Sequence, residues 1–505
     1  MSVIELVLVL LAVTAGLEVI ASAFRLPVPA LLVAAGLAVA LIPGVPRPEL
    51  DPEAVFLVFI PPLLYWTALT ASFRDFRQQF VSISLLAVGL VLATTAVVAV
   101  VAHALIPELP WAAAFVLGAI VSPPDPVAVV AVTRHLSIPK SIITVLEGEG
   151  LVNDATALVA YRMSVAAVFT GAFSIKEASL KFLVAGLGGV AVGLAVGIVI
   201  AWVRQRVGKA PTVEATISLL TPFLAFIPAE RIHIGETHAS GVLAVVAVGL
   251  YLGRLGPRIV SAQSRLQSTY MWRMITFLLE GLVFLLVGLE LPKAFEHLEG
   301  YTVSKLVLYA TLVSLAAIGV RLAWVFPGAY VERILRAPFD GWKPVPRWQE
   351  TFFTGWAGIR GGDSLVIALS LPLVTASGAP FPGRPLIIFL TFVVIVVTLV
   401  VLGLTLSPVV RRLGLRGDDA EEREEAEARQ RLFVAARGPL DVSRSGVQQF
   451  VRTALDVVTA QRTELVTLRD RGVINDDVLR KLQHELDLQE VLLESRPTAP
   501  PRIKS

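Results

Sequence analysis

The sequence predicts an all-α, polytopic membrane protein of about thirteen transmembrane helices with a small cytoplasmic helical tail. Three observations carry this. The 505-residue chain is 55% hydrophobic and 16% charged, with a mean hydropathy of +0.75, whereas soluble proteins carry about a quarter charged residues. Apolar runs of about twenty residues recur, and each can cross a hydrocarbon core of roughly 30 Å. Lys and Arg are biased toward alternate loops, which records orientation in a bilayer.

The expected spans lie at roughly 3–22, 27–43, 54–72, 81–105, 111–133, 141–171, 179–203, 211–229, 237–253, 271–292, 303–331, 350–376 and 384–410. An odd number puts the chain ends on opposite sides. The loops after spans 1, 3, 5, 7, 9 and 11 hold sixteen basic residues, from Arg25 to Arg347. The alternate loops hold seven: Arg47, Lys176, Lys181, Arg231, Lys293, Lys305 and Arg384. This bias places the N-terminus outside and the C-terminus in the cytoplasm. "MSVIELVLVLLAVTAGL" has no basic residue ahead of its apolar run and does not read as a cleaved signal peptide. Residues 1–412 therefore form the membrane domain and 413–505 the tail. In the tail, "GDDAEEREEAEARQR" reads as a solvated charge run. A helix follows from about Val447, Gly472 breaks it, and Asp476 or Asp477 can cap another.

Several function classes are excluded. With no cysteine there is no disulfide, thiolate zinc site, iron–sulfur cluster or cysteine nucleophile. The net charge of +3 reflects orientation rather than nucleic-acid binding. The six histidines are scattered and suggest no metal centre. "GLGGVAVGLAVG" is a small-residue packing stripe rather than a phosphate loop. His238 and Ser240 lack the base and oxyanion partners of a hydrolase. No cofactor and no enzymatic activity are implied.

The informative residues are charges where the chain is most apolar. A charge at mid-bilayer costs at least about 2.5–3.5 kcal/mol. The acids are Asp125 in span 5, Glu147, Glu149 and Asp154 in span 6, Glu280 in span 10 and Asp363 in span 12. The bases are Arg162, Arg321 and Arg360. Six acids against three bases is more than a set of structural ion pairs requires. At 100° per residue, Gly150 and Asp154 share one face of span 6 and Glu149 and Asn153 the next. A cation reaching Asp154 would meet the bare backbone of Gly150, and Glu149 is free to take an arginine.

Two spans look broken. "AIVSPPDPVAVV" sets Pro123, Pro124 and Pro126 around Asp125, and "GWAGIRGGDSLVIALSLP" sets Gly358, Gly361 and Gly362 around Arg360. Proline removes donors and clashes one turn back. Such breaks survive in a membrane only inside protein or along a cavity. Spans 5 and 12 are equivalent positions in two six-span halves, and paired interrupted helices mark a transporter's binding site. A carboxylate, a side-chain amide and freed carbonyls make an all-oxygen site suited to Na⁺ or Li⁺. Burial disfavours a carboxylate's charged form, so the Asp154 oxygen that binds a cation can also hold a proton. One group that takes either ligand but not both is the minimal exchanger.

At "SPPDPVAV", "EGEGLVNDATALVAYR", "SGVLAVVAVGLYLG", "FLLEGLVFLLVGLELP" and "GWAGIRGGDSLVIALSLP" the chain resembles the monovalent cation:proton antiporter-1 family, closest to its bacterial sodium/proton antiporters. The resemblance covers about residues 1–412. It implies thirteen helices, inverted repeats, a homodimer, and a core domain with crossed, unwound spans 5 and 12 moving against a dimerisation domain. It implies that Asp154 binds Na⁺ and H⁺, with Asn153 the fixed amide beside it and Asp125 the acid of the crossed helix. It pairs Glu149 with Arg360. The chain departs from the family where Gly150 replaces Ser or Thr, Pro124 replaces Thr, Trp66 replaces an acid, and Asp363 replaces an apolar residue. Asp363 and Trp66 are accessory positions on this reading, and Pro124 offers a carbonyl without a hydroxyl. The expected function is Na⁺ (or Li⁺)/H⁺ antiport across the cell membrane, electroneutral at one to one. K⁺/H⁺ antiport, a cation channel or a sensor with the tail as output are the alternatives.

Overall fold

The computed structural model describes residues 3–24, 28–43, 52–126, 129, 138–171, 175–207, 210–234, 237–296, 298, 300–340, 346–375, 378–415, 420–437 and 447–494. Among these, the membrane part is helical apart from short connections and a two-strand hairpin, β1 (His233–Ile234) with β2 (Thr237–His238). The helices are α1 (Val3–Phe24), α2 (Val28–Ala40), α3 (Pro52–Thr70), a short α4 (Phe73–Gln78), α5 (Phe80–Leu105) and α6 (Trp111–Val121). Next come α7 (Lys140–Thr170), α8 (Ile175–Val207), α9 (Pro211–Arg231), α10 (Gly241–Ile259), α11 (Ala262–Glu296) and α12 (Val303–Asp340). Two short helices, α13 (Trp348–Trp356) and α14 (Gly362–Leu369), precede α15 (Arg384–Leu413). Among the described residues, seven helices are long and apolar enough to cross a bilayer, and α2, α6 and the apolar parts of α1 and α3 are shorter.

Several expected spans prove too short, two of them most of all. The helix expected from 271 begins at Ala262, and the one expected to end at 331 runs to Asp340. Polar turns such as "AQSRLQST" carry no hydropathy signal, but their backbone hydrogen bonds extend a helix already nucleated. Span 5 stops being helical at Val121, before the prolines, and span 12 is open from Ala357 to Gly361. Beyond Pro126, span 5 lies outside the described residues apart from Val129. So do Arg25, Arg47, Arg134, Lys209 and Lys343, and with them part of the expected loop charge pattern.

The helices pack as two groups. In one, α2 lies along α11, α10 lies between α8 and α3, and α9 joins α8, α10 and α11. In the other, α6 lies between α5 and α7, α12 packs on α5 and α13, and α15 packs on α14. The groups meet where α11 touches α14 and α15, α10 touches α7, and α3 touches α14. The α2–α11 contact is backbone on backbone. A Cβ on Gly288 would lie 2.1 Å from the Val33 carbonyl oxygen, and one on Gly36 would lie 2.1 Å from that of Leu285. Small residues let helices approach this closely in lipid, where dispersion rather than water exclusion drives packing.

The tail forms α16 (Ala420–Arg437), α17 (Val447–Asp470) and α18 (Asp476–Glu494). The charge run read as solvated is helical in α16, held by Glu425–Arg429 and Glu427–Arg431 pairs four residues apart. Leu465, Leu468, Ile474, Val478, Leu479 and Leu482 bury a small core of their own. Gly472 ends α17 in the left-handed region, at φ 72°. The cap of α18 lies one residue earlier than expected. Asn475, rather than Asp476 or Asp477, accepts from the Asp477 and Val478 amides at 2.9 and 2.8 Å.

The α2–α11 contact gives a direct expectation. Gly288→Ala forces the backbones apart and costs about 1–3 kcal/mol, seen as a lower melting temperature in detergent. Gly319→Ala, inside α12 where nothing lies within 4 Å of the added carbon, does not lower the melting temperature, since alanine is the better helix former.

Candidate functional site

The site is built around backbone that is not helical. Residues 123–125 and 357–361 cross as open segments, and the Asp125 amide donates to the Ile359 carbonyl at 2.7 Å. The crossing needs glycine, because a Cβ on Gly361 would lie 2.1 Å from an Asp125 carboxylate oxygen. Thr398, in a π-helical stretch of α15 (Thr398–Leu402), accepts the Arg360 amide on its hydroxyl at 3.1 Å. Extra-wide helical turns of this kind recur at functional sites.

Each broken helix ends in carbonyls without intrahelical partners, and an arginine or amide meets them. At the end of α6, Arg360 Nη1 donates to the Ser122 carbonyl, and Asn153 Nδ2 donates to that of Pro124 at 2.8 Å. At the end of α13, Arg321 donates to the Thr354 carbonyl from Nε at 3.3 Å and Nη2 at 3.1 Å. At the end of α14, Arg384 donates to the Leu371 carbonyl at 3.1 Å, and the Tyr161 hydroxyl donates to that of Ser370 at 3.1 Å. Cations at helix C-termini also offset the negative end of the dipole.

The expected Glu149–Arg360 pair is corrected by this arrangement. Glu149 takes both of its oxygens to Arg321, at 2.5 and 2.7 Å, with both side chains buried. Arg360 is buried beside them but directs a donor to Ser122. The reason is geometric: Arg321 reaches in from α12 because Gly358 is bare, a Cβ there falling 2.3 Å from Arg321 Cδ. The sequence marks Arg321 as a buried base, but pairing across separate helices leaves no spacing signal. The contacts of Thr398, Ser122 and Arg384 carry no sequence signal for the same reason.

Asp154 sits on α7, half-buried, one residue after a fully buried Asn153. Asn153 reaches the Pro124 carbonyl beside Asp125, and Asp125 lies against Gly361, just ahead of Asp363. Span 6, the crossing and the first turn of α14 thus bring three carboxyls into one neighbourhood, where Asp363 and Asp125 act on Asp154. Asp363 and Asp125 are half-buried too. The Asn153 Oδ1 is buried with no hydrogen-bond partner among the described residues. Gly150 does not present bare backbone to this place as expected. The Pro126 ring covers it, 2.3 Å from where a Cβ would stand, so the position expected of a Ser or Thr ligand is filled by proline. Trp66 stacks on Trp272, with ring centroids 6.3 Å apart and planes within 14°. Glu147 faces a different set of charges, Asp477, Arg480, Lys140 and Asp75. Arg162 is exposed and pairs with Glu230 at 2.7 Å.

Removing one partner of a buried pair strands the other charge and costs about 3–5 kcal/mol. Arg321→Ala therefore lowers the melting temperature in detergent more than any surface arginine does. A double-mutant cycle for Glu149 and Arg321 shows coupling well above that for Glu149 and Arg360. Equal coupling in the two cycles contradicts the assigned pair.

Known proteins match this chain over most of its length. The family model "Sodium/hydrogen exchanger, transmembrane" matches residues 9–412. An uncharacterized Na⁺/H⁺ exchanger of Mycobacterium tuberculosis is 37% identical over 97% of this chain and 96% of its own length. A sodium, potassium, lithium and rubidium/H⁺ antiporter of Bacillus subtilis is 36% identical over 74% of this chain and 56% of its own. The sodium proton antiporter MjNhaP1 of Methanocaldococcus jannaschii superposes with a TM-score of 0.63, at 19% identity, over 81% of this chain and 98% of that one, a likeness of fold. A match across nearly the whole membrane part, together with the long apolar helices, makes the chain an integral membrane protein of the sodium/hydrogen exchanger family.

Proposed function

We propose that the chain exchanges Na⁺ or Li⁺ for H⁺, one for one, by competition of the two ions for Asp154. The observation that carries this is the placement of Asp154 at the crossing, where Asn153 reaches the Pro124 carbonyl beside Asp125, Asp125 lies against Gly361 just ahead of Asp363, and the Asn153 Oδ1 is buried with no partner among the described residues. Like charges gathered in one place disfavour full ionisation, and a transported cation or a proton relieves that repulsion. Asn153 Nδ2 donates to the Pro124 carbonyl, which orients the amide so that its oxygen is left for a hard cation. Asp125 and Asp363 lie at the N-terminal end of α14, whose dipole favours negative charge there. Names of relatives such as the Aphanothece halophytica Na⁺/H⁺ antiporter support the same exchange.

On this reading residues 1–412 are a thirteen-helix exchanger domain of two inverted repeats, and 413–505 a cytoplasmic tail. The N-terminus lies outside, the protein sits in the cell membrane, and two copies form a homodimer, as the family resemblance implies. The group holding α5–α7 and α12–α15 is the core that moves, and the group holding α1–α3 and α8–α11 is the scaffold. K⁺/H⁺ exchange is the second reading, favoured by the potassium in the name of the Bacillus relatives.

Asp154→Asn abolishes cation-driven proton movement in proteoliposomes read with a pH dye, while the folded protein still elutes as a single species. Full exchange in that variant overturns the assignment. A series of Na⁺, Li⁺ and K⁺ in the same assay decides between the two readings.

Stoichiometry has its own test. Asn153 cannot titrate, so the Asn153–Asp154 pair carries at most one negative charge. One charge crossing 100 mV is worth about 2.3 kcal/mol, so an electroneutral cycle ignores voltage. The steady-state ratio of Na⁺ to H⁺ gradients is expected to be the same at 0 mV and at an imposed potential. A ratio that shifts with voltage makes Asp363 or Asp125 a second carrier.

A further inference from the structure

The tail does not hang from the end of α15. Its acidic residues dock on both helix groups at once. On the side of α10 and α11, Arg258 pairs with Asp470. Arg265 grips Asp487 from Nε at 2.8 Å and Nη2 at 2.5 Å. Arg469 Nη1 donates to the Arg254 carbonyl at 2.9 Å, and Gln483 Nε2 to that of Pro257 at 3.4 Å. On the side of α7, Lys140 pairs with Asp477, and Ser72, in the corner before α4, donates to Asp476 Oδ2 at 3.1 Å. The short helix α4 packs on α5 and α7. Burial alone would raise the Asp477 carboxyl, but Arg480 and Lys140 outweigh it and hold it below the usual carboxylate range. The Lys140 contact stands at the first residue of the helix that carries Asp154.

We propose that α17 and α18 are a strap across the α7 and α10–α11 faces, holding the two helix groups in one relative position and slowing exchange until it lets go. The physical argument is that rigid helix groups sharing few contacts can slide, whereas a packed unit bonded to both resists sliding. The Arg258–Asp470 and Lys140–Asp477 pairs are partly exposed and such pairs are individually weak, while the buried Asp487 keeps Arg462 when Arg265 lets go. The strap can therefore release without unfolding, and the set of contacts biases an equilibrium between two positions. The inference rests on the exchange reading for its effect on rate, but not for its effect on geometry.

The experiment uses the full chain with Arg258→Ala and Arg265→Ala together. Neither change strands an acid, because Asp470 keeps Arg469 and Asp487 keeps Arg462. The chain has no cysteine, so Ser141→Cys on α7 and Gln263→Cys on α11, both exposed, carry the only two spin labels. The distance distribution between them is expected to be narrow with the arginines present and broad or double-peaked without them. The exchange rate is expected to rise between about two- and tenfold. An unchanged distance distribution, or a rate that is unchanged or lower, overturns the strap. If the unaltered chain exchanges none of Na⁺, Li⁺ or K⁺, the functional reading falls and the distance measurement alone decides the strap.

Discussion

Backbone carbonyls freed inside a membrane need donors, and this protein meets that need chiefly with arginine. Spans 5 and 12 are broken where lipid offers no water. The ends of α6, α13 and α14 would each leave carbonyls unsatisfied. Arg360, Arg321 and Arg384 close them, with Asn153 and Tyr161 assisting. Once guanidinium groups are committed there, their own charge must be balanced. Glu149 balances Arg321 with two hydrogen bonds, one to each carboxylate oxygen, a forked pairing that suits arginine and not lysine.

That arrangement separates the charges by task. Basic groups stand at carbonyl ends, and the carboxyls of Asp125 and Asp363 stand at the amide end of α14. The arginines are held by carbonyls and by Glu149, which leaves the electrostatics of Asp154 to other carboxyls. The difference in burial follows the same division. Glu149, Arg321, Arg360 and Asn153 are buried, while Asp154, Asp125 and Asp363 are only half-buried. The buried set holds shape and the more accessible set is available to ions.

Close backbone approach is the second constraint. Gly361 admits Asp125, Gly358 admits Arg321 and Gly150 admits the Pro126 ring. A side chain at any of the three would push apart segments whose contact defines the site. The presence of glycine at position 150 is therefore tied to what lies opposite: the ring occupies the volume in which a hydroxyl would have stood.

The sequence by itself determined the membrane class, the two breaks and the acids between them. These are local signals: hydropathy runs need no partner to be read, proline and glycine act on their own backbone, and a charge in an apolar run is conspicuous whatever surrounds it. Helical periodicity also put Asn153 and Asp154 on adjacent faces, and their burial differs accordingly. The tertiary structure alone decided which arginine meets Glu149, since Arg321 and Arg360 are both buried bases and only the crossing of α7, α12 and α13 puts one of them in line. It decided that Pro126 covers Gly150, that Thr398 supports Arg360 from α15, and that the tail lies across α7 and α10. These are contacts between residues tens to hundreds of positions apart. Each depends on how rigid helices are set against one another, and the pattern within any single helix carries no record of that.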